Sequence, residues 1–177
     1  MRIIWTFFLF SYSFCTGQTS LKAAPDSFVR YNSADYSLLY PASWKIDTSK
    51  NMGIDLFVLS PLENTMDKFR ENVNVLSSGT QGEVVTLDTF VKVSLKEIEA
   101  MATDYKLIES KVYHVGSLTY HKLDFTAKQG TFNLHMVQYY FVTAVKVYTI
   151  TLTTEAEKYG QYKKTGLQML DSFVLKN

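Results

Sequence analysis

The sequence predicts an α+β fold in which at least two amphipathic helices lie on a twisted antiparallel sheet. From residue 106 to residue 153 the chain alternates apolar and polar side chains with a period near two, which is typical of strands with one buried face. Residues 87–102 and 159–173 instead repeat apolar side chains every three or four positions, which indicates helices. One layered domain accounts for both patterns.

The alternating region divides into four strands of an antiparallel meander, because residues typical of turns interrupt it three times. The predicted turns are Gly116-Ser117, Lys128-Gln129-Gly130 and Ala144-Val145. The predicted strands are 106–115, 118–126, 132–143 and 146–153.

Both predicted helices are preceded by residues that can cap them. Thr86 stands immediately before the first helical pattern, where its hydroxyl can accept a bond from a free amide of the first turn. Thr154-Glu155-Ala156-Glu157 has the residue order of a capping box and predicts that the second helix begins there.

Three shorter strands are predicted before the first helix. Residues 36–40 form an aromatic and aliphatic strand that ends at Pro41, because proline has no amide hydrogen to continue a ladder. Trp44 then fills the core. Residues 54–59 and 72–76 form the other two strands, joined by a polar loop longer than a hairpin requires.

The N-terminal residues are typical of an export signal. Arg2 is followed by the almost wholly apolar stretch 3–14, and Cys15-Thr16-Gly17 supplies small residues for cleavage after Gly17. The apolar stretch is shorter than the roughly 20 residues that a membrane-spanning helix needs. The sequence therefore predicts a secreted or periplasmic protein, with a lipoprotein anchored through Cys15 as the alternative.

Length and composition favour a single domain. The 177 residues are 46% hydrophobic and include 12 Tyr and 12 Phe, enough apolar area for one core without disulfides. The predicted organisation is a signal peptide at 1–17, a short flexible leader at 18–34 and one domain at 35–177. Order in this scheme begins near Phe28 or Tyr36.

The charge of the chain argues against nucleic acid as a partner. Lys and Arg number 18 against 17 Asp and Glu, so the formal net charge is +1. Nucleic acids and anionic membrane surfaces are usually bound by a clustered basic excess.

Three segments resemble the PsbP/DcrB-like family. They are Tyr36-Ser37-Leu38-Leu39-Tyr40-Pro41-Ala42-Ser43-Trp44, Glu71-Asn72-Val73-Asn74-Val75 and Asp171-Ser172-Phe173-Val174. The resemblance spans roughly residues 35–175 and implies an α/β/α sandwich. The family resembled includes the PsbP subunit of photosystem II, periplasmic DcrB-type proteins and a Ran-binding nuclear-import factor. The resemblance implies a compact surface that binds an unknown protein partner. The predicted function is therefore a binding or assembly accessory of the cell envelope.

The sequence predicts no catalytic residue and no cofactor. Nucleophilic catalysis needs a serine or cysteine on a constrained turn with a base in reach, and no Gly-x-Ser-x-Gly occurs. Cys15 falls in the predicted signal. Ser117, beside His114 or His121, is the only neighbouring nucleophile and base, and both belong to a plausible hairpin turn, so a non-enzymatic protein is predicted.

Two histidines are weak candidates for a metal site. His121 and His135 lie on strands joined by the turn near Lys128, and both are seven residues from that position. With a suitable register they would face each other and could share an ion, although zinc usually requires three or four ligands. Asp124 would lie on the opposite face from His121. A small-ligand or metal-binding periplasmic protein is therefore the alternative function.

One segment is a candidate interaction surface. Asn72 and Asn74 share one face of their strand and, with Arg70 and Glu71, could form a recognition surface. The alternative is that these side chains satisfy the backbone of the preceding loop.

Overall fold

The computed structural model describes residues 27–176. The predicted signal peptide and the first part of the predicted leader lie outside the described residues. The leader prediction does not hold at its end, because Phe28–Asn32 form a strand that pairs with Tyr36–Pro41. Of the two predicted positions for the start of the domain, Phe28 already lies in a strand.

Ten strands and two α-helices make up the described chain. The helices are α1 (Leu87–Met101) and α2 (Tyr159–Asp171). The strands are β1 (Phe28–Asn32), β2 (Tyr36–Pro41), β3 (Lys45–Asp47), β4 (Leu56–Leu59), β5 (Asn72–Gly79), β6 (Thr103–Val115), β7 (Leu118–Gln129), β8 (Phe132–Val142), β9 (Lys146–Glu155) and β10 (Val174–Leu175).

The strands form two antiparallel sheets. The large sheet has the order β3-β4-β5-β9-β8-β7-β6, and the small sheet has the order β1-β2-β10. The predicted meander is confirmed as β6 to β9, since each of these strands pairs with the next. The α+β class predicted from the patterns is likewise confirmed.

Alternate residues of the large sheet contribute to two separate cores. On one face Val137, Ile150 and Leu152 pack with Met169 and Leu170 of α2 and with the small sheet. On the other face a second cluster packs around α1, and its buried members include Phe90, Ile98, Phe125, Leu134 and Met136. The large sheet is thus the middle layer between α1 and α2.

The Tyr-Pro-x-x-Trp segment makes a tight corner into the α2-side core. The Trp44 amide donates to the Pro41 carbonyl oxygen at 2.9 Å, and the Trp44 ring is 7% exposed. Its indole meets the Tyr162 ring edge-on at 6.0 Å between centroids. The prediction that Trp44 fills the core is confirmed.

The two helix starts differ from each other. The Thr86 side chain accepts from the Thr89 amide at 3.1 Å, so the predicted cap of α1 is confirmed. The capping box predicted at residues 154–157 is wrong, because β9 continues pairing with β8 to Glu155 and a 3-10 turn at Ala156–Lys158 precedes α2. The ladder hydrogen bonds of β9 outweigh the local capping pattern there.

Candidate functional site

The predicted interaction residues lie where the long loop between β4 and β5 ends. The register places Asn72 beside Leu59 and Thr153, and Asn74 beside Phe57 and Thr151. Val73 and Val75 point to the opposite face and are fully buried. The predicted division of this strand into a polar and an apolar face is confirmed.

Half-buried side chains form a continuous patch on the polar face. We call it the β4–β5 shelf and define it by Phe57, Leu59, Asn72, Asn74, Leu76 and Thr153. Helix α1 covers another part of the same sheet face, where it packs on β7 and β8. The shelf therefore combines apolar area with amide and hydroxyl groups and stays accessible beside the helix.

Hydrogen bonds of the shelf also serve the loop. Asn72 Nδ2 donates to the Arg70 carbonyl oxygen at 3.0 Å, and Arg70 Nη1 donates to the Ser60 carbonyl oxygen at 3.3 Å. Asn74 Nδ2 lies 3.5 Å from Asn72 Oδ1, at the limit of a hydrogen bond. Within the described residues no donor reaches Asn74 Oδ1, which leaves this oxygen as an acceptor on the shelf.

Glu71 cannot belong to an interaction surface. Its side chain is 0% exposed and points to the α2 side, away from Asn72 and Asn74. The Ser60 hydroxyl donates to Glu71 Oε2 at 3.4 Å, and Oε1 has no hydrogen-bond partner within the described residues. Burial raises the pKa of Glu71, because removal from water disfavours the charged carboxylate. The predicted surface therefore reduces to Arg70 and the two asparagines.

Glu71 instead belongs to a cluster of four carboxylates around one lysine. Lys158 Nζ lies 2.8 Å from Glu155 Oε2, 3.9 Å from Glu71 Oε1, and 3.4 Å from both Glu63 Oε2 and Asp67 Oδ1. Three of the four acids come from the loop, so the lysine ties this loop to the start of α2. The three loop acids recur at four-residue spacing in the sequence, a signal that the sequence reasoning missed.

The cluster shifts the pKa values of its members. Burial opposes the charge of Lys158, but the hydrogen bond to Glu155 and the nearby Glu71 and Asp67 outweigh it and raise the pKa of Lys158. Burial also opposes the charge of Asp67, yet amide donors of Glu63 and Phe69 together with Lys158 lower the pKa of Asp67. Lys158 and Asp67 are therefore both charged at neutral pH, as an anchor for the loop requires.

The two histidine candidates do not share a site. The β7–β8 hairpin turns at Gly130 and Thr131, so His135 pairs with Thr126 while His121 pairs with Tyr140. His135 lies on the same face as its partner Thr126, and Thr126 is five positions from His121 on β7. Because side chains alternate between the faces of a strand, an odd spacing puts the imidazoles of His121 and His135 on opposite faces. A metal site shared by His121 and His135 is therefore excluded.

Each of these histidines has another partner. His135 Nε2 is hydrogen-bonded to Asp124 Oδ1 at 2.7 Å, and its ring stacks on Tyr159 at 3.4 Å between centroids. His121 Nε2 is hydrogen-bonded to Ser110 Oγ at 2.8 Å. Across residues 27–176 no group of three or more His, Cys, Asp or Glu side chains is arranged to hold a metal ion.

The adjacent serine and histidine of the β6–β7 turn do not form a nucleophile and base pair. His114 Nδ1 is hydrogen-bonded to the Thr119 hydroxyl at 3.0 Å, across the ladder from it. Ser117 belongs to the two-residue turn that joins β6 to β7.

Neither helix of the described chain is long and apolar enough to cross a membrane.

Comparisons with known proteins agree on the fold. The PsbP family model matches residues 26–175. Similar solved structures include cyanobacterial PsbP (CyanoP) from Synechocystis sp. PCC 6803, at 17% identity and a TM-score of 0.62, covering 90% of this chain and 98% of that one. The comparison with curated proteins gives no match.

Two further structures are similar. PA94 from Pseudomonas aeruginosa, described as a protein of unknown function and putative regulator, has 16% identity and a TM-score of 0.61. The match covers 85% of this chain and 98% of PA94. LpqN of Mycobacterium tuberculosis, described as involved in cell envelope biogenesis, has 10% identity and a TM-score of 0.64. The match covers 86% of this chain and 91% of LpqN. At these identities the likeness concerns the fold alone.

Proposed function

Because the chain belongs to the PsbP family, we propose that it is an exported, non-enzymatic accessory protein of the cell envelope that binds a protein partner through the β4–β5 shelf. The shelf geometry carries this proposal. Phe57, Leu59 and Leu76 offer apolar area, while Asn72, Asn74 and Thr153 offer polar groups on the same accessible face. Mixed surfaces of this kind suit protein interfaces, which are about as apolar as the remaining surface but carry placed hydrogen bonds.

Rigid support strengthens the case for this surface. The shelf lies on strands whose other face is fully buried at Val73 and Val75, so the strand backbone that carries it is held in place before binding. The loop that precedes it is anchored by Lys158 rather than free to cover the shelf. The near-neutral net charge favours a protein over nucleic acid as the partner.

Export is the second part of the proposal. The apolar residues 3–14 followed by Cys15-Thr16-Gly17 are typical of a signal peptide, and LpqN, which has a similar fold, is described as involved in cell envelope biogenesis. The mass of the protein recovered from the producing cells tests this part. A chain that starts at Gln18 indicates a released protein, an acylated Cys15 indicates a lipoprotein, and a chain that retains Met1 in the cytoplasm contradicts export.

Site-specific crosslinking tests the shelf. A photoreactive p-benzoylphenylalanine at Asn74 is expected to give one discrete adduct in intact cells, whereas the same residue at Lys96, exposed on α1, gives none. The adduct should be competed by added wild-type protein and not by Asn74→Arg, since a bulky charge on the shelf is expected to weaken binding at least about tenfold. Equal labelling from both positions, or competition by Asn74→Arg, would contradict this use of the shelf.

A further inference from the structure

Strand β6 is an open edge of the large sheet. It pairs with β7 on one side and has no neighbouring strand on the other within residues 27–176. It is also the longest strand, at 13 residues, and most of it is exposed. Four of its apolar side chains are at least 42% exposed: Leu107, Ile108, Val112 and Val115. An exposed apolar edge of this length is a template for pairing with another strand.

The hairpin at the end of β6 determines which backbone groups are free. Val115 pairs with Leu118 across the two-residue turn that begins at Gly116, whose φ is 59°. Residues that close such a turn are hydrogen-bonded to each other, and the pattern then alternates along the strand. The N–H and C=O groups of Ser110, Val112 and His114 therefore point away from β7.

We propose that β6 pairs antiparallel with β6 of a second copy of this chain, about a two-fold axis that passes beside Ser110. In this register Ser110 faces Ser110 of the second copy, and Glu109 of each chain faces Lys111 of the other. One segment thus supplies both halves of a self-complementary interface, as a two-fold dimer requires.

Neighbouring registers lack this complementarity. A shift that centres the axis on Glu109 places two carboxylates opposite each other, and a shift that centres it on Lys111 opposes two ammonium groups. Like charges directly opposite each other destabilise a strand pair, whereas opposite charges stabilise it. An axis beside Ser110 pairs Glu109 with Lys111 twice, which favours this register over those two.

The irregular part of β6 limits the length of the pairing. The register with β7 shifts between Thr103 and Lys106 and again between Leu107 and Glu109. Bulges of this kind end regular pairing at exposed edges. The regular segment from Glu109 to Val115 contains the proposed axis near its start, so regular pairing about Ser110 covers residues 109–111. The β4–β5 shelf lies toward the opposite end of the sheet, and either surface can be tested without the other.

Charge reversal tests the register. Lys111→Glu replaces both attractive pairs by repulsive ones and should raise the dimer dissociation constant about tenfold or more in sedimentation equilibrium. Lys111 is the residue to change first, because its Nζ makes no salt bridge within residues 27–176 and lies 5.4 Å from the centroid of the Tyr113 ring; its cross-strand neighbour on β7 is Lys122. Glu109 also holds Lys122 at 2.5 Å, so its replacement alone would disturb the monomer. The double variant Glu109→Lys with Lys111→Glu should recover dimer relative to Lys111→Glu.

A single cysteine tests the axis directly, in a background with Cys15→Ser. Paired residues in this class are about 5.5 Å apart between Cα atoms, within the 4.4–6.8 Å range of disulfides. Ser110→Cys should therefore oxidise rapidly to a covalent dimer. Val112→Cys is the matched control, because its two copies would be about 13 Å apart, four residues at 3.3 Å each. A wild-type protein that stays monomeric at about 100 μM, or equal crosslinking of both variants, would overturn the proposal.

Discussion

Gly166 of α2 lies directly against Leu152 of β9. A Cβ atom at position 166 would stand 2.5 Å from both δ carbons of Leu152 and 3.0 Å from its γ carbon. Leu152 is fully buried in the α2-side core, so its side chain has little room to turn away. The glycine sets how closely α2 approaches the sheet.

Gly166→Ala is expected to destabilise the protein by about 1–3 kcal/mol, the usual cost of adding volume to a packed core. Gly160→Ala is the control in the same helix. No atom lies within 4 Å of a Cβ there, so alanine should stabilise by up to about 1 kcal/mol through helix propensity. Urea unfolding of both variants measures the difference. Equal stabilisation by both would show that Leu152 gives way without cost.

Ser172 connects the end of α2 to the small sheet. Its hydroxyl donates to the Met169 carbonyl oxygen at 2.7 Å and accepts from the Leu39 amide at 2.8 Å. Ser172→Ala leaves that partly buried amide without a partner and should cost about 1–3 kcal/mol in urea unfolding. Ser78→Ala, at an exposed serine, should change stability by less than about 0.5 kcal/mol. A loss at Ser172 no larger than that at Ser78 would mean that water replaces the bond.

The sequence predicted features that depend on local chemistry. The Thr86 cap, the alternation on β5 and the burial of Trp44 follow from neighbouring residues, and each is confirmed. The two-residue β10 could not be predicted, because two residues are too few to show a period. The same limit explains why β3 was missed, since it has only three residues.

Register and long-range burial were beyond the sequence. A hairpin centred on position 128 would have made His121 and His135 partners, but the turn lies two to three residues further on and changes the face of one of them. The burial of Glu71 was likewise not predictable, because the sequence shows it only as the neighbour of asparagines on an accessible strand face. Lys158, which lies beside its carboxylate in the fold, is 87 positions away in the sequence.

Glu71→Gln is expected to stabilise the protein increasingly as pH rises. Burial raises the folded-state pKa of Glu71, so folding favours its neutral form. The wild type loses this advantage as pH rises through the folded pKa, whereas glutamine is neutral throughout. The unfolding free energies of variant and wild type should therefore diverge as pH rises above the unfolded value of about 4.3.

Glu63→Gln is the control for that experiment. Glu63 reaches the same Lys158 from a side chain that is 30% exposed, so it carries less of the burial cost. A similar rise for both variants would assign the effect to the net charge of the cluster rather than to the burial of Glu71.

Lys158→Gln is expected to destabilise the protein by roughly 1–3 kcal/mol at neutral pH, between the values for exposed and buried ion pairs. It removes the cation shared by Glu63, Asp67, Glu71 and Glu155, and it releases the loop that precedes the β4–β5 shelf. Because the folded pKa of Asp67 is lowered, its contribution is present above the unfolded value of about 3.9 and is lost as pH falls through the folded pKa. The deficit of Lys158→Gln should therefore shrink on acidification. Lys164→Gln, on the exposed side of α2, should show neither effect, and a deficit independent of pH would mean that Lys158 acts through packing of its aliphatic stem.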